Sequence, residues 1–528
     1  MNRNAIDDFL KELDNINNDR DVRTNMANTI ELLKVGDAVF DSSTILRDKI
    51  ANGTFQTTIS GDSYIKEELE ENNIIKRPVI DLVQQGGTML GIALLGYTYV
   101  MEKAGVRFRS MAGTSAGAIN TLLLSALPEE IYKEKSPFIK DGRQAVKSEF
   151  LAYLVANKDF CEFLDRKGII GRVQNWLINR VTLVRKIMPY FLIALPLLLL
   201  GLSFFIYQAI NGHLFTISNG LNEKEIRVYD FITGTLGITA VFLLMIFLIF
   251  RLFKGSLGVN PGEVVYNWMR SILGTNFVGI NTTADLKARK KKIRISNDVS
   301  KEPFSEPRLV FIAANLTHNR IVKFPDNNGD YWNPDYIDLV SPATYVRASM
   351  SLPFIFYAFI PGDKNVYIPH DSPLKTKQGT LHTLARFIDG GMLSNFPIRE
   401  FHVQPPTEPR YPTFGVLLGA IDHEPDEKSR NEARKKFWSV SVFKFILSFI
   451  STFRNFYDKD FLINHPEFKQ LVKTVDTKRF NSLDFGMGLE TKKELFREGA
   501  NAAIKQLEEF NWHEYLESRK VKIVKTDL

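Results

Sequence analysis

Three short stretches of this chain have residue types and spacing suited to chemistry. The first is Gly113-Thr114-Ser115-Ala116-Gly117. A serine between two glycines, with an apolar strand before it and an apolar helix after it, stands on a sharp turn where its hydroxyl clears the sheet. The helix that begins just past it directs free amides and its positive end at any developing oxyanion. Read alone, the five residues also describe a glycine-rich turn with an idle serine. The second stretch is Asp389-Gly390-Gly391-Met392-Leu393-Ser394-Asn395-Phe396-Pro397. An aspartate closing a strand sits at the edge of a parallel sheet where active sites gather, although an ordinary Asp-Gly turn has the same form. At one sheet edge with Ser115, its carboxylate could take the serine proton directly. The third, Gln85-Gly86-Gly87-Thr88-Met89-Leu90-Gly91, could cradle a phosphate or offer amides to an oxyanion. It is a poor dinucleotide fingerprint, because Thr88 holds the third glycine position.

The elements that must position these residues alternate. The apolar run from Arg77 to Val83 reads as a buried strand, Gly91 to Lys103 as a helix, Arg107 to Met111 as a strand and Ala116 to about Leu127 as a helix. That alternation predicts a parallel sheet with crossover helices. Later strands are expected at Leu309 to Ala314, Arg386 to Ile388 and Thr413 to Leu418, and a helix over Gly262 to Leu273. Residues 1–76 read as helical, with Ile6, Phe9, Leu10 and Leu13 at three-to-four spacing, and the last hundred residues read as helical again.

Two runs break the globular pattern. Ile187 to Ile210 holds 24 residues without a charge and Phe231 to Phe250 holds 20. About 20 helical residues cross a hydrocarbon layer of ~30 Å, so both are long enough to span. Arg180, Arg185 and Lys186 flank one side and Arg251 and Lys254 the other, while the loop between carries only Lys224 and Arg227. That bias predicts a transmembrane hairpin with both outer ends cytoplasmic. A pair of buried core helices is the alternative.

The 528 residues are 45% hydrophobic and 24% charged, which excludes wholesale disorder. The net charge of +7 suits an anionic membrane surface or nucleic acid equally well. A single cysteine, Cys161, excludes an intrachain disulfide and a cysteine-based zinc site, and the eight histidines show no metal-ligand spacing. The polar, acidic N-terminus does not read as a cleaved secretory signal. Phe437 to Phe456 is aromatic-rich with polar residues on one narrow face, and reads as an interfacial helix or a core helix with equal ease. The basic run Lys287 to Arg294 reads first as a solvated face and second as a headgroup site.

Taken together, the glycine loop at 86–91, Gly-Thr-Ser-Ala-Gly at 113–117 and Asp-Gly-Gly-x-x-x-Asn-x-Pro at 389–397 resemble the patatin-like phospholipases. Phe311 to Thr317 looks like that family's central strand, and Arg347 to Phe354 like its block of small residues before a proline. The likeness covers roughly residues 78–130 and 257–420, with the hairpin as an insertion. It implies a three-layer α/β/α fold with a mainly parallel sheet. The catalytic unit would be divided into 77–180 and 256–428 around a hairpin at 181–255, with helical extensions at 1–76 and 429–528. It implies a Ser-Asp dyad, Ser115 as nucleophile and Asp389 as base, without a catalytic histidine. The oxyanion would be held by amides near Gly86, Gly87 and Thr88, with Ala116. Gly91, Gly113, Gly117, Gly390 and Gly391 would complete the motifs, and no metal or cofactor is implied. The expected partners are the bilayer and its phospholipids, not nucleic acid, with the globular parts on the cytoplasmic side. The chain departs from the family at Thr88, where a glycine is usual, and at Leu90, where a basic residue is common. Two other readings stay open. One is a Ser-His-Asp esterase with His402 or His423 as base; the other is a membrane scaffold or pore former with no enzymatic activity.

Overall fold

The computed structural model describes residues 3–17, 22–68, 74–164, 237, 239, 258, 260–296, 306–367, 385–404, 407–419, 458 and 460–526. An eight-stranded sheet forms its centre. The strands are β1 (Tyr64–Glu68), β2 (Ile74–Gln84), β3 (Arg107–Thr114), β4 (Leu309–Asn315), β5 (Arg320–Phe324), β6 (Phe387–Asp389), β7 (Thr413–Leu418) and β8 (Val472–Val475). The order is β5-β4-β3-β2-β7-β8, with β1 on β2 and β6 on β4. Pairs β2/β3, β3/β4, β2/β7 and β7/β8 are parallel, whereas β1, β5 and β6 join antiparallel.

Every residue of β3 and β4 is buried, as expected of central parallel strands covered on both faces. The polar residues of β3 are therefore partnered. Arg107 pairs with Glu67 of β1, Arg109 donates to the Tyr411 hydroxyl at 3.1 Å, and the Ser110 amide donates to Asp81 Oδ1 at 2.9 Å. Burial raises the Asp81 pKa to about 6, against the pull of Ser110, Arg109 and Lys290.

The helices are α1 (Arg3–Asn17), α2 (Val22–Ser42), α3 (Thr44–Ala51), α4 (Phe55–Ser60), α5 (Gly91–Lys103), α6 (Ala116–Ala126), α7 (Lys147–Asn157), α8 (Glu263–Leu273), α9 (Thr283–Lys291), α10 (Ala343–Ser349), α11 (Leu489–Glu509) and α12 (Trp512–Thr526). Helices α5 and α11 cross almost backbone to backbone. A Cβ on Gly96 would lie 2.0 Å from the Phe496 carbonyl oxygen, and one on Gly499 1.7 Å from that of Ala93. The C-terminal region is thus packed onto the helix that follows the glycine loop.

The sequence places the central elements closely, the first crossover helix to the residue, and misses three edge strands. The stretch read as helical to residue 76 contains β1, and β2 begins at Ile74; the C-terminal hundred residues contain β8. Strands β1, β5 and β8 are only five, five and four residues long, and none carries the continuous apolar run of a buried strand. The basic run is divided by its helix. Lys290 is buried, Lys287 and Lys291 pair with Asp338 and Glu306, and Arg289 donates to the Val278 carbonyl.

Residues 165–261 with 354–357 form a second unit. In it Asn260 bridges Phe356, the Asn260 amide donating to Ile355 O and the Tyr357 amide to Asn260 O, both at 2.8 Å. The two uncharged runs, apart from Gly237 and Thr239, lie outside the described residues, as do His423 and Phe437 to Phe456. Among the described residues no helix is long and apolar enough to cross a membrane.

Candidate active site

Strand β3 ends at Thr114 and α6 begins at Ala116, so the whole reversal falls on Ser115. Its backbone sits at φ 51°, ψ −116°, a region L residues avoid, at a cost on the order of 1–3 kcal/mol. The surroundings enforce that conformation. A Cβ on Gly113 would lie 2.3 Å from the Gly117 carbonyl oxygen, and one on Gly117 2.4 Å from that of Gln84. One on Gly91 would lie 2.7 Å from the Ala116 Cβ. Helix α6 can therefore start at the strand end and approach β2 only because these positions lack side chains. The Ser115 amide donates to Ser349 Oγ at 2.8 Å, which ties the elbow to the end of α10.

The register of β4 brings Asp389 to the same place. Strand β5 occupies one edge of β4 from Phe311 to Asn315. The other edge is shared, with β3 pairing up to Thr114↔Ile312 and β6 beginning at Asp389↔Ala313. Neighbouring residues of a strand are about 3.3 Å apart, so the ends of β3 and β6 abut in one lane and Asp389 meets the turn at Ser115. Asp389 is 3% and Ser115 5% exposed. The Asp389 carboxylate accepts the Gly391 amide at 2.7 Å, and its own amide donates to Ser351 O at 2.9 Å. Gly390 has to be a glycine, since a Cβ there would lie 2.2 Å from the Ile312 carbonyl oxygen.

The glycine loop closes the third side. A Cβ on Gly86 would lie 3.1 Å from the Ser115 Cβ and 2.5 Å from Asn395 Oδ1. The Gly86 amide is committed to Asn395 O at 3.0 Å, and Asn395 Nδ2 returns a bond to Gly86 O at 3.1 Å. Gly86 therefore holds the loop in place and is not itself the free donor its motif suggested. The amides of Gly87, Thr88 and Ala116 meet no acceptor among the described residues. Thr88 adopts φ 51°, the conformation a glycine would take at no cost.

His402 packs its ring with those of Phe461, His465 and Phe468. Four residues that hold the site were given no role from sequence. Ser349 and Ser351 lie in the Arg347 to Phe354 block and Asn395 in the aspartate motif, so the motifs contained the signal. Asp458 is buried against Ser394, Asn395 and Phe396, and no local pattern marked it. Among the described residues no cluster of His, Cys, Asp and Glu could hold a metal.

The chain is 25% identical over 362 residues to the uncharacterised protein YqhO of Bacillus subtilis strain 168, covering 68% of this chain and 78% of that one. The crystal structure of VipD from Legionella pneumophila aligns over 84% of this chain and 70% of that one, at 12% identity and a TM-score of 0.35. The model of the patatin-like phospholipase family matches residues 82–402, more than half of the chain and spanning all three motifs. This chain belongs to the patatin-like phospholipase family.

Proposed function

We propose that this chain is a membrane-anchored lipid acyl hydrolase of phospholipase A or lysophospholipase type, working through Ser115 and Asp389. Family membership implies a lipid acyl hydrolase. The observation that carries the finer reading is the lane on β4, where Thr114 and Asp389 occupy consecutive registers and Ser115 turns between them. Ser115 Oγ attacks the ester carbonyl while its proton passes to the Asp389 carboxylate. The amides of Gly87, Thr88 and Ala116 are the free donors for the oxyanion, each worth ~3–4 kcal/mol of transition-state stabilisation. Collapse breaks the ester bond, and the leaving alkoxide takes the proton from Asp389. Water, giving a proton to Asp389, then attacks the acyl-serine; the bond to Ser115 Oγ breaks, the serine oxygen takes that proton back from Asp389, and the fatty acid is released.

The three-layer arrangement and the membrane anchor belong to this reading. The anchor is supported by the two uncharged runs and their basic outer flanks. The ring cluster around His402 favours a structural role for that residue. Release of fatty acid from phospholipid vesicles tests the proposal. Ser115→Ala and Asp389→Asn should each abolish it with circular dichroism unchanged, while alanine at each histidine should leave it intact. A serine-directed phosphonate should label Ser115 and nothing else. Hydrolysis that survives Ser115→Ala ends this reading.

A further inference from the structure

One buried carboxylate reaches the site from far along the chain. Asp458 is 4% exposed. Its Oδ1 accepts the Ser394 hydroxyl at 2.9 Å, and its Oδ2 accepts the amides of Asn395 at 2.7 Å and Phe396 at 2.8 Å. The stretch it grips touches both other walls of the site. Ser394 O accepts from Thr114 Oγ1 at 3.2 Å, one residue before the elbow. Asn395 exchanges two bonds with Gly86 at the start of the glycine loop. Five residues before Ser394 in the same loop stands Asp389. A single carboxylate thus ties the aspartate loop to the elbow and to the glycine loop, from outside the matched region 82–402.

We propose that Asp458 is a positioning residue for acyl hydrolysis: in its ionised form it locks Ser394 to Phe396, and through them Gly86 and Thr114, in the geometry that Ser115 and Asp389 require. The inference rests on the reading of Ser115 as nucleophile. An ionised carboxylate only accepts, and here one hydroxyl and two amides all donate to it. Protonation would leave the two amides on Oδ2 and require the Ser394 hydroxyl to reverse and accept the new O–H on Oδ1, giving up its own bond to the carboxylate. Burial raises the Asp458 pKa to about 6, opposed by those three donors and by Arg399. Arg399 also pairs with Asp460 at 3.6 Å. Because the native pKa lies above the ordinary 3.8, the folded state holds the proton more tightly than the unfolded chain. Stability from this group is full below 3.8 and falls as pH rises through about 6, while the ionised clamp forms over the same interval. Stability and activity should therefore run in opposite directions across that window.

The test uses the full-length protein in detergent micelles with phospholipid, reading kcat, KM and pH profile for wild type, Asp458→Asn, Asp458→Glu, Ser394→Ala and Ser115→Ala. Displacing a catalytic loop by about 1 Å costs up to ~100-fold. Asp458→Asn should lower kcat about 10- to 100-fold at pH 7.5, leave KM within about threefold, and remove the component of the pH profile near 6. Asp458→Glu should restore that component. Ser394→Ala, which removes one donor, should lower kcat by about 2- to 10-fold and keep it. Wild-type kcat and pH profile in Asp458→Asn would overturn the proposal, provided Ser115→Ala is inactive. If Ser115→Ala is active, it is the hydrolase reading that fails. Should Asp458→Asn not fold, an unchanged kcat in Ser394→Ala overturns it instead.

Discussion

Replacing Thr88 with glycine should make this protein locally more stable without slowing it. Thr88 is β-branched and sits at φ 51°, where an L side chain costs about 1–2 kcal/mol. Glycine relieves that cost but gives the unfolded chain more freedom, which returns about 0.4–1 kcal/mol. The side chain is half-buried, and among the described residues its hydroxyl makes no hydrogen bond that would offset the difference. The net gain is about 0.5–1 kcal/mol, a factor of about 2–5 in the local opening equilibrium. Hydrogen exchange reads it where the loop is anchored, at the Met89 amide, which donates to Ser482 O, and at the Leu90 amide, which donates to Gly87 O. Both should exchange about 2–5 times more slowly in Thr88→Gly. Vesicle hydrolysis should stay within about twofold of wild type, because the amides of Gly87 and Thr88 keep their places. Thr88→Val, which keeps the branch and the strain, should match wild type in both measurements. Faster exchange in Thr88→Gly, or a tenfold loss of activity in Thr88→Val, would refute the strain argument and give the hydroxyl a role of its own.

Ser349→Ala removes the acceptor of the Ser115 amide inside a buried site, and should cost about 1–3 kcal/mol by chemical denaturation together with about a tenfold loss of kcat. A rate unchanged from wild type would separate the elbow from α10. Gly117→Ala drives a Cβ to within 2.4 Å of the Gln84 carbonyl oxygen, so the protein should lose about 1–3 kcal/mol and its phosphonate labelling should slow in step. Full labelling at a wild-type rate would show that α6 can move off β2 freely. Finally, the protein should stay in the membrane pellet after carbonate washing and need detergent for extraction; release by carbonate would remove the anchor.

The motifs and central strands were legible in the sequence because each depends on local physics. Buried parallel strands read as unbroken apolar runs, which is why β3, β4 and β7 lie close to where they are expected. The elbow glycines are legible because crowding at a strand-to-helix reversal admits no Cβ, whatever surrounds it. Short edge strands carry no such mark; β1, β5 and β8 are strands only because a neighbour offers them a ladder.

The residue types of the site, a serine on a tight turn, an aspartate before two glycines and a loop of glycines, were determined by the sequence alone. Their meeting was decided by tertiary structure. The shared edge of β4, the commitment of the Gly86 amide to Asn395 and the grip of Asp458 on residues 394–396 join groups tens to hundreds of positions apart. Local propensity reaches only a few residues along a chain, whereas register and burial act across strands. Which amides remain free among the described residues, and which distant carboxylate holds residues 394–396, is therefore written in the packing.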